Sequence, residues 1–306
     1  MTDGRRRASA GVAYAAAAYL TWGTFPLYFR SLQGVPALEI LSHRILWSVV
    51  FVAALVTALR RWPEVLPRLR SPGTVPRLAV SAAFISMNWL VYIWAVNSGR
   101  VLEASLGYFI NPLVTVALGV VFLRDPFTRR QLLAVLLAAA GVGVLVFRAH
   151  VVPWVALALA LTFGLYGLVR KRVRVDAMGG LLAEVLVLAP LALAWVAWLH
   201  RTGAAHFGTG ARHTALLALS GAVTAVPLIW FALGVQRLRL STVGLLQYLN
   251  PTVQFAIAVF LFGEHFTVGH AIAFGCIWVS LAVYTWEALG PGRVAASGGV
   301  PAGREA

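Results

Sequence analysis

Residues 92–128 read YIWAVNSGRVLEASLGYFINPLVTVALGVVFLRDPFT, and residues 231–267 read FALGVQRLRLSTVGLLQYLNPTVQFAIAVFLFGEHFT. The two stretches align without a gap at an offset of 139, and ten of the 37 positions are identical. Two unrelated apolar helices would share some leucine and valine. They would rarely share Asn-Pro in mid-span (Asn111-Pro112, Asn250-Pro251), an arginine at the helix entrance (Arg100, Arg239) and an acid just past the exit (Asp125, Glu264). A second match, at an offset of 141, sets Thr21-Trp22-Gly23 against Thr162-Phe163-Gly164. The chain is an internal duplication.

What is duplicated follows from composition. Hydrophobic residues make up 60% of the 306, charged residues 11%, and the mean hydropathy is +0.82. A soluble chain of this length would need more charge to cover its surface. A hydrocarbon core about 30 Å thick needs roughly 20 apolar residues per helical span. Ten stretches meet that requirement: 11–30, 37–59, 77–98, 101–123, 129–147, 151–170, 177–199, 214–235, 240–262 and 267–287. The expected fold is therefore an all-α membrane protein of ten transmembrane helices. A basic N-terminal segment (1–10) precedes the first five-helix repeat (11–147). The second repeat (148–287) and a Gly/Ala/Pro-rich tail expected to be disordered (288–306) complete it. Five is odd, so the second half enters from the opposite face, giving an inverted-topology pair.

The net charge of +15 is distributed as the positive-inside rule requires. With the N-terminus inside, nineteen Lys and Arg fall on the cytoplasmic side. Five fall outside: Arg30, Arg100, Arg148, Arg201 and Arg212. The remaining one, Arg44, is within a span. A nucleic-acid surface would gather its cations on one face instead. Both termini are expected in the cytoplasm, and the first span is read as uncleaved.

Because the spans are mostly Ala, Leu and Val, the polar exceptions mark candidate sites. The fourth span carries Tyr108, Asn111 and Thr115; the ninth carries Gln247, Asn250 and Gln254 at matching places. The spacing i, i+3, i+7 puts each set on one helical face. Proline in mid-span removes a backbone hydrogen bond, and interrupted helices at equivalent places in two halves point to a transporter's site. Asn88 and Tyr92 share a face of the third span, while Trp22 and Tyr166 lie deep in the first and sixth. Trp22, Asn88, Tyr92, Tyr108, Asn111, Tyr166, Gln247 and Asn250 are the expected substrate-binding residues. The competing reading is that such amides simply bond neighbouring helices.

Few ionisable residues fall within spans, and three are candidates for a role there: His43 and Arg44 in the second, and Glu184 in the seventh, which matches His43 at the offset of 141. An unpaired charge at this depth costs a few kcal/mol or more, so these face protein or water. Either they hold helices together, as a salt bridge would, or they take part in coupling. His43 and Glu184 are the candidate proton carriers, because only they could change charge near neutral pH. Arg44, always protonated, is a fixed countercharge.

No Gly-rich loop with lysine exists for a nucleotide, the one cysteine is Cys276, and the seven histidines show no metal-ligand spacing. No cofactor or metal is expected. The core of the fourth span, Leu102–Pro112 (LEASLGYFINP), is accompanied by Glu39–Arg44 (EILSHR), Asn88-Trp89, Ile93–Asn97 (IWAVN), Tyr166–Lys171 (YGLVRK) and Arg237–Thr242 (RLRLST). Together these resemble the RarD group of the EamA family, in the drug/metabolite transporter superfamily, over residues 10–288. The resemblance implies an inner-membrane secondary carrier moving small metabolites or drugs outward. Two departures stand out: Arg124-Asp125 replaces a Gly-Glu pair after the fourth span, and Asn250 replaces a small residue before the proline. The expected partners are a small-molecule substrate, the bilayer and a proton as coupling ion. The alternative function is an intramembrane lipid-handling protein, a flippase or an enzyme on a lipid-linked substrate, which would need a charged cluster at headgroup level.

Overall fold

The structure, a computed structural model, describes residues 3–261 apart from 72, 98–100, 126–127, 150–153 and 174, together with short pieces between 268 and 283. Among those residues the regular secondary structure is helical. The order is α1 (Asp3–Gly23), α2 (Phe25–Arg30), α3 (Ala37–Ala58), α4 (Trp62–Leu69), α5 (Thr74–Asn97), α6 (Val101–Leu123) and α7 (Arg129–Ala149). It continues with α8 (Trp154–Arg172), α9 (Ala177–Thr202), α10 (Ala211–Arg237), α11 (Leu240–Leu246) and α12 (Leu249–Ala256), the last running into a π-type turn over Ile257–Leu261.

Among the described residues six helical stretches are long and apolar enough to cross a membrane, five of them in α3, α5, α8, α9 and α10. The sixth runs from Leu240 to Leu261, and a shorter apolar stretch, Gly107–Leu123, forms most of α6. This is a multi-pass membrane protein. The expected first and fifth spans fall on α1 and α7, each 21 residues long. The expected tenth span lies largely, and the tail 288–306 wholly, outside the described residues. α1 begins at Asp3, inside the basic N-terminal segment.

Two spans are broken where proline predicts it. The first breaks at Thr24, so that Pro26 falls in the first turn of α2, where its missing N–H costs nothing. The ninth breaks at Gln247-Tyr248. Pro251 has no N–H to give the Gln247 carbonyl four residues back, and that carbonyl accepts from Asn250 N at 3.0 Å instead. Pro112, at the equivalent place, does not interrupt its helix, and α6 continues through it. The expected pair of interrupted helices is thus asymmetric. α6 packs against α8 and α11, and packing of this kind can keep a proline-bearing segment helical.

Short polar contacts seal the helix ends. Asp176 caps α9 by accepting from Gly179 N at 3.0 Å, and Asp125 accepts from Ser241 N and Oγ at 3.0 and 2.9 Å at the start of α11. Lys171 Nζ donates to the carbonyls of Val235 and Leu238 at 2.7 and 2.5 Å, placing a cation at the C-terminus of α10. Between helices, small residues allow close approach. Gly221 of α10 lies so near the Trp47 backbone of α3 that a Cβ would overlap it, and Ser48 Oγ bonds the Gly221 carbonyl at 3.2 Å.

Candidate functional site

Aromatic side chains from both halves meet at the centre of the bundle. Trp22 lies edge-on to Tyr19 and Phe163 at 5.7 and 5.6 Å, and Phe231 packs against all three rings. Beside this cluster is a cavity of about 50 Å³. Its walls come from α1, α2, α3, α5, α6, α8, the α11–α12 break and α12. Pockets for drug-sized ligands run to roughly 300–1,000 Å³, so the cavity as it stands is smaller than such a ligand needs.

Seven of the eight expected binding residues line this cavity: Trp22, Asn88, Tyr92, Tyr108, Asn111, Gln247 and Asn250. The amides differ in how far the protein already uses them. Asn88 Nδ2 donates to Leu159 O at 2.8 Å and Thr162 Oγ1 at 3.0 Å, tying α5 to α8. Asn250 Oδ1 accepts from Gln254 Nε2 at 2.9 Å, and Gln247 Oε1 accepts a long 3.4 Å bond from Thr115. Asn111 Oδ1 is buried and meets no donor. An acceptor left unmatched at this depth costs about 1–3 kcal/mol, which a bound solute could recover.

Tyr166 is not on the wall. It is 1% exposed, stacked on Phe231 with ring centres 5.6 Å apart, and backs Phe163, which does reach the cavity. The three ionisable residues separate. His43 and Arg44 are successive on α3 and so point about 100° apart. His43 stacks on Phe207, in the connection between α9 and α10, at 4.7 Å, and its Nε2 is buried without a partner. Glu184 accepts from Ser81 Oγ at 2.6 Å and lies 3.6 Å from Arg170, each side chain 2% exposed. Neither touches the cavity. Arg44 does. Its guanidinium lies 4.2 Å over the Trp89 ring and 5.7 and 5.8 Å from those of Phe29 and Phe25, while Nε donates to Thr224 Oγ1 at 2.8 Å. Desolvated cation–π contacts of this kind contribute about 2 kcal/mol.

Several wall residues escaped the sequence reading. Phe25 and Phe29 reach the site only because the chain breaks at Thr24 and restarts as α2. Nothing in the spacing of the polar residues singles out Tyr19 or Trp89, and both line the cavity. Glu39 was also missed: fully buried, it accepts from the backbone N–H groups of His206 and Phe207 at 2.7 and 3.2 Å and contacts His206 Nδ1 at 2.8 Å. Among the described residues no cluster of His, Cys, Asp and Glu could hold a metal ion.

A multi-pass helical bundle with four buried amides and an arginine on one central cavity has the build of a solute transporter, and comparison with known proteins supports that class. The model of the EamA-like transporter family matches residues 9–147. An uncharacterized transporter of Bacillus subtilis strain 168, YojE, is 44% identical over 90% of this chain and 94% of its own length. Protein RarD of Escherichia coli K12 is 44% identical over 91% of this chain and 95% of its own. A protein of Pseudomonas aeruginosa described as chloramphenicol-sensitive protein RarD is 33% identical over 90% and 94%. A solved structure at 23% identity shares the fold, with a TM-score of 0.70 over 92% of this chain and 98% of the other. The chain belongs to the RarD group of the EamA-like transporter family.

Proposed function

We propose that this chain is a secondary-active carrier that exports a small amphipathic metabolite or drug-like solute by alternating access. Its halves, 11–147 and 148–287, form inverted five-helix repeats totalling ten spans, with both termini cytoplasmic. The observation that carries the reading is the cavity itself, walled by equivalent residues of both halves, Tyr108 and Asn111 from one and Gln247 and Asn250 from the other.

The packing supports it. A two-fold exchanging α1 with α8, α3 with α9, α5 with α10 and α6 with α11–α12 demands that contacts come in matched pairs. α1 packs on α10 as α5 does on α8; α3 on α10 as α5 on α9; α6 on α8 as α1 on α12. The helices expected to cross the axis, α3 with α9 and α6 with α11, also meet. The family model's match over 9–147 coincides with the first repeat. Arg44 and Glu184 stand apart, one on the cavity and one against Arg170, so they do not form the headgroup-level cluster a lipid-handling protein would need.

With no nucleotide site in the sequence, uphill export would draw on an ion gradient, and a proton is the proposed coupling ion with His43 and Glu184 as candidate carriers. His43→Gln and Glu184→Gln proteins that still accumulate solute under an imposed pH gradient would remove both. The carrier reading is tested by a lone cysteine at position 111 in a Cys276→Ala background. An impermeant maleimide should label it from either face of sealed vesicles of known orientation; labelling from one face alone would contradict alternating access.

A further inference from the structure

Arg44 is 3% exposed. Among the described residues no carboxylate lies within ion-pair distance of it, and the titratable groups close enough to feel its charge are the tyrosines Tyr28, Tyr92 and Tyr108. Acids elsewhere among the described residues already have partners: Glu39 has His206 and its backbone, Glu184 has Ser81 and Arg170, and Asp125 has Ser241. Of the five N–H donors on a guanidinium, Thr224 takes the Nε proton, and the terminal nitrogens donate to no described side chain. Trp89, Phe29 and Phe25 lie round the guanidinium, their ring centres 4.2, 5.7 and 5.8 Å from its carbon.

A cation buried among aromatic rings at this depth is ordinarily paired. A purely structural arginine would be matched as Arg170 is by Glu184. On the reading of the cavity as the transport site, we propose that the missing partner is the transported solute, and that the substrates are small organic anions. Each would present a carboxylate or sulfonate to Arg44 and a planar apolar body to the surrounding rings. The planar fork of arginine fits two oxygens of such a group at once. Tyr92, Tyr108 and Trp22 offer walls for the ring, and Asn111 Oδ1 can accept from a substrate hydroxyl or amide. The described lining contains no Asp or Glu, so a free ammonium group has no charged partner and an ordinary amino acid is a poorer fit than its deaminated counterpart.

The test uses the purified full-length protein with phenylpyruvate and benzenesulfonate as anionic probes, benzenesulfonamide as the neutral one and phenylalanine as the zwitterion. Binding is read as thermal stabilisation in detergent, and transport as counterflow in proteoliposomes over protein-free controls. The anions should stabilise the protein and exchange, with the other two weaker by roughly tenfold or more. Arg44→Gln should lose the preference and Arg44→Lys keep part of it. Should Arg44→Gln fail to fold, the anion-to-neutral ratio of the unaltered protein decides alone. Benzenesulfonamide or phenylalanine performing as well as the anions, or a folded Arg44→Gln protein moving anions at the original rate, overturns the inference and leaves the transporter reading standing. If none of the four binds or exchanges, the inference fails and the cavity loses its support as a transport site too.

Discussion

Arg170→Ala should destabilise the protein more than its small contact list suggests. Arg170 and Glu184 are each 2% exposed, 3.6 Å apart, and the pair is completed by Ser81 Oγ on Glu184 and by a 3.4 Å bond from Arg170 Nη2 to Ala177 O. Removing the arginine leaves a carboxylate in a dry site with one hydroxyl for support, and breaking a buried pair this way costs about 3–5 kcal/mol. Glu184→Gln keeps an acceptor for Ser81 but strands the guanidinium, and should cost a similar amount. Arg170→Met with Glu184→Gln removes both charges, so its cost should fall short of the sum of the single changes by roughly 1–3 kcal/mol. Gly180 lies against the guanidinium, and a side chain there would displace it, so Gly180→Leu should resemble Arg170→Ala. Thermal melts of purified protein in one detergent give the cycle. Single changes that leave the melt unmoved, or costs that add within about 0.5 kcal/mol, would refute the view that this pair is a single buried unit.

Asn111→Ala should reduce transport roughly tenfold or more while barely moving the melt, because the Oδ1 it removes has no protein partner to lose; unchanged transport would take it out of the site. Gly221→Val should cost about 1–3 kcal/mol or more by forcing α10 off the Trp47 backbone, visible as a lower melt or lost membrane protein. An alkaline phosphatase fusion after Arg68 should be inactive and one after Arg201 active; the reverse would invert the topology.

How much of this was legible in the sequence depended on what each feature records. The internal repeat and the i, i+3, i+7 spacing report which face of a helix is special, and that sufficed to gather Asn88, Tyr108, Asn111, Gln247 and Asn250 on one cavity. The same spacing does not report depth behind that face, so Tyr166 was expected on the wall and sits one layer back on Phe231. Adjacency misleads on a helix: His43 and Arg44 are successive, yet one turns to Phe207 and the other to the cavity. The partners of buried charges lie across the fold, Arg170 fourteen positions from Glu184 and His206 far from Glu39, and no local pattern reveals them. Pro251 and Pro112 look equivalent in the chain, but only one breaks its helix, because neighbouring helices decide whether a lost hydrogen bond becomes a break.

The central claim is that the cavity around Asn111 carries solute by alternating access, and counterflow tests it most directly. Proteoliposomes loaded with unlabelled solute, screened across amino acids, organic anions and antibiotics, should take up the labelled form of at least one compound saturably. Uptake should be faster than into empty vesicles and be lost in Asn111→Ala. Uptake that ignores the solute inside, or that Asn111→Ala leaves intact, would contradict the account.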